Sequence, residues 1–388
     1  MKKQLKALCL SIAICACAAG NLHAQVEQIH IPKMANHLIA INISGLSGEV
    51  AKVVRFDLEV LGMEATAPDK AEYFISGSEG GKLEGQLADA TKKVVFHNIY
   101  QGGSPRSLAH AFANDIATEL RGKGSGKIFK TRIAYRVEQK GISEVVVSDF
   151  DGNQATVVTH DNSLVSGLSW GPGGRLFYAS WKNGPSQILE HNIQTGQRRP
   201  FSKSLGSAYC PSVSPDGRHV AMVLNKSGMP DLYVSDIDGS NLKQLTHTPE
   251  EESAPTWSPD SSTICFVARK GRAALYTINI DGGTPKKISI SGAYGHITEP
   301  NWSSDGKTIV FTSNSGGFTL YAVPATGGVA ELLATGEDGA WGPNSRTVMF
   351  TRREKGGRVL SLLDVPTKHT KNVPILISGS CSQPDWAK

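Results

Sequence analysis

Beyond its first two dozen residues the 388-residue chain has no apolar run near the roughly 18 residues needed to cross a bilayer as a helix, so no membrane span is expected in its body. Cysteine is scarce. Cys9, Cys15 and Cys17 fall in the leading segment, which leaves Cys210, Cys265 and Cys381, widely spaced and without a CxxC pair. Neither a disulfide framework nor a zinc site follows from them, and three buried, unpaired thiols are expected. After the leader no five Lys or Arg residues follow one another, which argues against a nucleic-acid partner. The eleven His residues form no HxxxH or HExxH pattern, and single ones such as His160 and His247 fall near turns. No cofactor or metal is expected.

The leading segment is rich in what the rest lacks. Met1 to Lys6 is basic, Ala7 to Gly20 is apolar, and Asn21-Leu-His-Ala24 ends in a small residue. This is the pattern of a secretory signal, and residues 1–24 are expected to be cleaved off after Ala24. Two rival readings stay open: lipidation at Cys17 after Ile14-Cys-Ala-Cys17, and an uncleaved anchor. Removing the signal takes away Lys2, Lys3 and Lys6, so the formal net charge drops from +5 to about +2.

Gly and Pro, 41 and 19 residues, favour many short elements over long helices. They punctuate a repeat. Anchors at Trp170, Val213, Trp257, Trp302, Trp341 and Trp386, most within Pro-x-Trp-Ser-Pro-Asp-like segments, are separated by 43, 44, 45, 39 and 45 residues. Three further strand-length segments follow each anchor in fixed order. Thr263–Ala268, Ala274–Ile280 and Pro285–Ser289 are one such set, bounded by Asp-Gly or Gly-Gly turns. A four-stranded unit recurring every 40 to 45 residues is the signature of a propeller blade.

The ends set the number of blades. Thr131–Arg136, Glu144–Gly152 and Ala155–Thr159 supply outer strands without an inner one, whereas Pro384-Asp-Trp386 is an inner strand without followers. Residues 127–388 are therefore expected to form a mainly β, six-bladed propeller closed by the C-terminal strand 384–386. Closure removes the exposed strand edge that invites aggregation.

Residues 25–126 lack anchors and read as a small α/β sandwich able to fold alone. Leu38–Ile43 is a strand, and Ser47 opens a helix with Val50, Val53, Val54, Leu58 and Leu61 on one face and Gly62 as its stop. Tyr73–Ser76, Lys82–Leu87 and Val94–Tyr100 are expected to form one antiparallel sheet. Ser104-Pro105 starts a second helix carrying Leu108, Phe112, Ile116 and Leu120. Gly122–Gly126 is expected to be a flexible linker.

Three local patterns suggest chemistry and fail on context. Gly167-Leu-Ser169-Trp-Gly171 matches a nucleophile elbow, but a turn and the strand Leu176–Ala179 follow where a helix is needed. Gly122–Lys127 has too few residues between its glycines for a phosphate loop and Ile128 where Ser or Thr should stand. Asp149–Gly152 and Asp236–Gly239 lack the further ligands of a calcium loop and are better explained as hairpin turns.

The export signal, the small α/β domain, the junction Thr131-Arg-Ile-Ala-Tyr135 with Val147–Gly152, and six blades with Pro-x-Trp-Ser-Pro-Asp anchors together resemble the TolB family. These are periplasmic propeller proteins of the Tol-Pal system of double-membrane bacteria. The resemblance implies a monomeric, non-catalytic docking protein of the periplasm, supporting outer-membrane integrity and invagination at division. It implies a Pal-like peptidoglycan-associated lipoprotein at the propeller mouth, and inner-membrane Tol proteins bound through the N-terminal region, with Gln25–Ile31 as the candidate strand.

Physical reasoning selects the same mouth. Residues just before the inner strands converge near the axis, where loops on a rigid scaffold can build one concave surface. The candidate partner-binding residues are Ser207, Tyr209, Cys210, Glu252, Ser253, His296, Thr298 and Glu299. A propeller enzyme or solute-binding propeller acting on a peptide or glycan is the alternative.

Overall fold

The structure is a computed structural model, and it describes residues 36–201, 206–226 and 228–387. The signal segment, Cys17 and Gln25–Ile31 lie outside the described residues. The described residues belong to one compact unit.

The N-terminal layer contains β1 (Ile39–Ser44), α1 (Gly48–Val60), β2 (Met63–Ala65), β3 (Tyr73–Glu79), β4 (Leu83–Asp89), β5 (Val94–Tyr100) and α2 (Pro105–Arg121). The sheet order is β2-β1-β3-β4-β5. β3, β4 and β5 pair antiparallel as expected, while β1 runs parallel to both β2, which it reaches through α1, and β3, so the sheet as a whole is mixed. β2 went unforeseen, since three residues are too few to show an alternation.

Both helices start where expected, by different means. Ser104 accepts a hydrogen bond from the Ser107 N–H, a side-chain cap in front of Pro105. Ser47 stands at the N-cap of α1, but its hydroxyl is bonded to Glu79 across the layer. The supposed flexible linker is packed. Ser125–Lys130 is a 3₁₀ turn, Ser125 and Gly126 are buried, and Asn344 Nδ2 in blade six donates to the Ser125 carbonyl at 2.9 Å. A Cβ on Gly126 would come within 2.5 Å of Asn114 Oδ1, so glycine serves close approach here and not flexibility.

Six four-stranded antiparallel sheets follow among the described residues. Their inner strands are Ser380–Trp386 (blade one), Val165–Gly171 (two), Ser207–Val213 (three), Glu251–Trp257 (four), His296–Trp302 (five) and Glu337–Trp341 (six). Each inner strand touches the next, and the last touches the first. Closure occurs as the repeat requires: the C-terminal strand pairs antiparallel with Arg132–Gln139, placing Trp386 opposite Ile133.

Packing explains the anchors. Trp170, Trp257, Trp341 and Trp386 are almost fully buried between blades, and Val213 fills the corresponding place in blade three. Trp257 Nε1 donates to the Ser212 carbonyl of blade three at 2.8 Å, and Trp386 Nε1 to the Ala340 carbonyl of blade six at 3.0 Å. Each of these indoles thus fills a joint and bonds across it.

The core of the N-terminal layer does not end at the layer. Ile41, Val54, Leu58, Phe112 and Ile116 join one buried cluster with Ile133, Tyr135, Phe150, Met349 and Trp386 of blades one and six. Polar groups tie the same joint, where Arg106 of α2 pairs with Asp151 in a turn of blade one.

Candidate functional site: the propeller channel

Every inner strand carries a bulge three residues before its anchor. Gly167, Cys210, Ala254, Glu299, Asp338 and Gln383 occupy that place and all have left-handed backbone, with φ between +48° and +62°. For a residue with a side chain this conformation is unfavourable by about 1–2 kcal/mol, yet five of the six positions are not glycine. At Cys210, Glu299, Asp338 and Gln383 the bulge turns the side chain along the ring toward the next blade.

There it finds a partner. Glu299 Oε2 accepts from the Asp338 N–H at 3.1 Å, Asp338 Oδ2 from the Gln383 N–H at 3.0 Å, and Gln383 Oε1 from the Gly167 N–H at 3.1 Å. The Cys210 thiol accepts from the Ala254 N–H. A second ring, one residue before the anchors, repeats the device. Ser169 accepts from Val213, Thr256 from Trp302, Asn301 from Trp341 and Asp385 from Trp170, at 2.7 to 3.3 Å. Between them the two rings span all six blade joints.

These rings enclose a cavity of about 630 Å³ along the axis. Its wall carries the carboxyl groups of Glu299, Asp338 and Asp385 and no Lys, Arg or His side chain. The charge is therefore of one sign. Burial pushes the carboxyl groups of Glu299 and Asp338 above the ordinary range, and each is pushed further by a neighbouring carboxylate. Among the described residues no cluster of three or more His, Cys, Asp or Glu side chains has the arrangement of a metal site.

Of the eight candidate residues, Cys210, Ser253, Thr298 and Glu299 line this cavity. Ser207, Tyr209, Glu252 and His296 do not. Ser207 and His296 open their inner strands, His296 exposed and Ser207 half-buried. Glu252 is buried and engaged elsewhere: its carboxylate accepts from the Leu232 N–H at 2.9 Å, from Thr246 Oγ1 and from Thr248 Oγ1, which fastens blade three to blade four. Cys265 and Cys381 are buried thiols as expected, whereas Cys210 is only half-buried because it faces the channel. Ser169 is occupied by its bond from Val213, as an anchor-strand residue should be.

Asp338, Gln383, Asp385 and Asn301 were missed as site residues. A signal existed: in the aligned repeats they stand three or one residue before the anchor, in columns where Glu299 and Thr256 also fall.

The channel mouth at which the inner strands begin has a distinct rim. In an antiparallel blade, loops leading into the inner strand and loops joining the second and third strands emerge on one face. Leu164, Tyr294 and Leu376 lie on loops of the first kind and Met229 on one of the second, with exposures of 45%, 71%, 95% and 40%. Four large apolar side chains are thus left in water on the face where the inner strands begin. The opposite face bears the Ser-Pro-Asp turns, which also line the cavity through Pro215, Pro259, Ser303 and Pro343, and there Asn344 holds the N-terminal layer.

Comparison with known proteins agrees with this architecture. The Tol-Pal system protein TolB of Bordetella pertussis is 29% identical over 204 residues, 51% of this chain, and the chain spans about half the length of the curated relatives it matches, 46% in that case. The crystal structure of TolB from Acinetobacter baumannii superposes with a TM-score of 0.78 over 91% of this chain and 97% of that one, at 19% identity. A putative TolB from Agrobacterium tumefaciens gives a TM-score of 0.52 over 65% of this chain and 91% of that chain, at 17% identity. These two similarities concern the fold. Residues 120–388 match the family model described as the TolB beta propeller domain, and on that match the chain belongs to the TolB family.

Proposed function

We propose that this chain is the TolB component of a Tol-Pal system, a non-catalytic periplasmic docking protein that binds a Pal-like peptidoglycan-associated lipoprotein at the channel mouth. Inner-membrane Tol proteins bind through its N-terminal region, and the complex supports outer-membrane integrity and invagination at division. The observation that carries this reading is the apolar rim of Leu164, Met229, Tyr294 and Leu376 around a channel whose charged groups are all acidic. Ser207, Tyr209, Cys210, Ser253, His296, Thr298 and Glu299 supply the polar contacts within that rim, and Glu252 holds its scaffold. Family membership supports the same assignment.

The test is a binding titration of the mature chain against the soluble domain of the peptidoglycan-associated lipoprotein from the same genome. Saturable binding that weakens at least tenfold in a Tyr294→Ser, Leu376→Ser double variant is expected, with the melting temperature unchanged because both side chains are exposed. Absence of binding by the unaltered chain would overturn the reading. The cavity volume and its converging polar groups favour a second reading, a solute-binding or enzymatic propeller acting on a peptide or glycan. Turnover or saturable binding of glycan or peptide libraries by the unaltered chain would select it.

A further inference from the structure

Docking at the mouth leaves unexplained why two acidic side chains meet deep in the channel. Glu299 and Asp338 hold neighbouring places in the left-handed ring, one on blade five and one on blade six, and Glu299 Oε2 accepts from the main-chain N–H of Asp338 at 3.1 Å, which sets two buried carboxyl groups side by side. Two carboxylates buried next to each other repel, and desolvation disfavours the doubly ionised state.

The surroundings fix the pair in place. Glu299 Oε2 accepts from Thr312 Oγ1 at 2.9 Å and from the Asp338 N–H, while Asp338 Oδ2 accepts from Thr351 Oγ1 at 2.9 Å and from the Gln383 N–H. No cation in the channel wall offsets a double charge. Glu337, beside Asp338 on the same strand, is engaged by Arg353 and Arg358, each at 3.1 Å. Blade one contributes Gln383 and the carboxylate of Asp385, and blade three the Cys210 thiol. Blade four contributes Ser253, Ala254 and Thr256, and blade two Gly167 and Ser169, none of which titrates as a carboxyl does. The charge is therefore most simply relieved by one proton held between the two groups.

We propose that Glu299 and Asp338 share a single proton across the joint of blades five and six, and that a partner closing the channel mouth locks this proton in, making docking proton-linked. This rests on the docking reading. A partner seated on the apolar rim removes water from the end of the channel it covers, and desolvation disfavours two adjacent charges more than one. Where both groups start ionised, docking takes one proton from solvent and converts two carboxylates into one carboxylic acid and one carboxylate. No other bond is made or broken.

Two measurements test this, the first without any partner. In the mature chain without partner, ¹³C NMR of labelled Glu and Asp carboxyls is expected to show one of the pair titrating well above the ordinary carboxylate range. Both ionising within that range would overturn the shared proton. Calorimetric titration with the soluble domain of the peptidoglycan-associated lipoprotein, from pH 6.5 to 9 in two buffers of different ionisation enthalpy, is expected to show proton uptake and a several-fold loss of affinity as pH rises. Glu299→Gln, which keeps a hydrogen-bond donor without a titrating proton, should flatten that profile, and Asp338→Asn serves where it does not fold. A flat profile in the unaltered chain, or one equally steep in the variant, would overturn the linkage. No binding at any pH would instead remove the docking reading and leave the NMR result standing.

Discussion

The main-chain N–H of Asp338 donates to Glu299 Oε2 at 3.1 Å across the joint of blades five and six. That one bond explains a backbone conformation. A side chain on a regular inner strand stands perpendicular to the sheet, but the left-handed bulge at Glu299 swings it sideways to the next blade. The local cost of the conformation is offset by a bond across the joint to a main-chain donor that Thr312 Oγ1, at 3.2 Å, also serves.

Gln383 tests this clasp at another joint. Its Oε1 accepts from the Gly167 N–H at 3.1 Å, joining blade one to blade two. Gln383→Ala leaves that donor without its acceptor and should lower unfolding free energy by about 1–2 kcal/mol, whereas Gln383→Asn, which retains an amide oxygen, adds no charge and tolerates left-handed backbone, should lose less. Urea unfolding monitored by tryptophan fluorescence measures both.

The anchors should matter more. Trp257 is 4% exposed and also donates to the Ser212 carbonyl. Trp257→Ala removes the filling of a joint together with its bond and should cost about 3–5 kcal/mol. Trp257→Phe keeps most of the volume and should fall well short of that. Changing exposed Leu376 to Ser should leave stability within about 0.5 kcal/mol, so the three variants form a graded series in one denaturation experiment.

The wheel was legible because its signal is repeated and its spacing is set by geometry. Trp170, Trp257, Trp302, Trp341 and Trp386 recur because each blade meets the same kind of neighbour, and Val213 stayed in register despite its different side chain. What is single was harder to read. β2 has three residues and pairs parallel with a strand far from it in sequence, so neither alternation nor a turn announces it. Glycines at 122, 124 and 126 suggested flexibility, although the contact with Asn344, over two hundred residues later, packs Ser125 and Gly126. The channel residues were half legible: looking just before the inner strands found Cys210, Ser253, Thr298 and Glu299. The bulge that brings Asp338 and Gln383 to the same ring is a backbone feature, and Glu252 was drawn into the candidate site because burial cannot be read from a strand position alone.

Ring closure makes a sharp prediction about the tail. Ser380–Trp386 pairs with Arg132–Gln139, Trp386 fills the joint with blade six, and Asp385 accepts from the Trp170 N–H at 2.7 Å. Deleting residues 380–388 would expose the edge of Arg132–Gln139 and uncover the apolar cluster beneath Ile133 and Tyr135. The shortened chain should aggregate on expression or melt at least 10 °C lower, as read by light scattering and calorimetry. Deleting Lys388 alone should change neither.

The joint between the N-terminal layer and blade one should respond to pH through Asp57. This carboxyl is fully buried in α1, with Oδ2 2.7 Å from His110 Nδ1, and His110 packs against Phe129 and Phe150. Burial pushes its pKa up to about 7, against the lowering effect of His110 and Arg106 and with some help from Asp151. Because the folded chain holds this proton more tightly than the unfolded chain, the stabilisation is complete below the ordinary Asp range near 3.8 and is lost as pH rises toward 7. Above that, both states are ionised and the contribution is flat. Melting temperature should therefore decline between about pH 4 and 7 by more in the unaltered chain than in Asp57→Asn, which keeps the shape of the side chain but has no proton to lose. Parallel thermal unfolding curves for the two proteins across that range would show that Asp57 is already ionised at pH 4 in the folded chain and that its burial carries no such linkage.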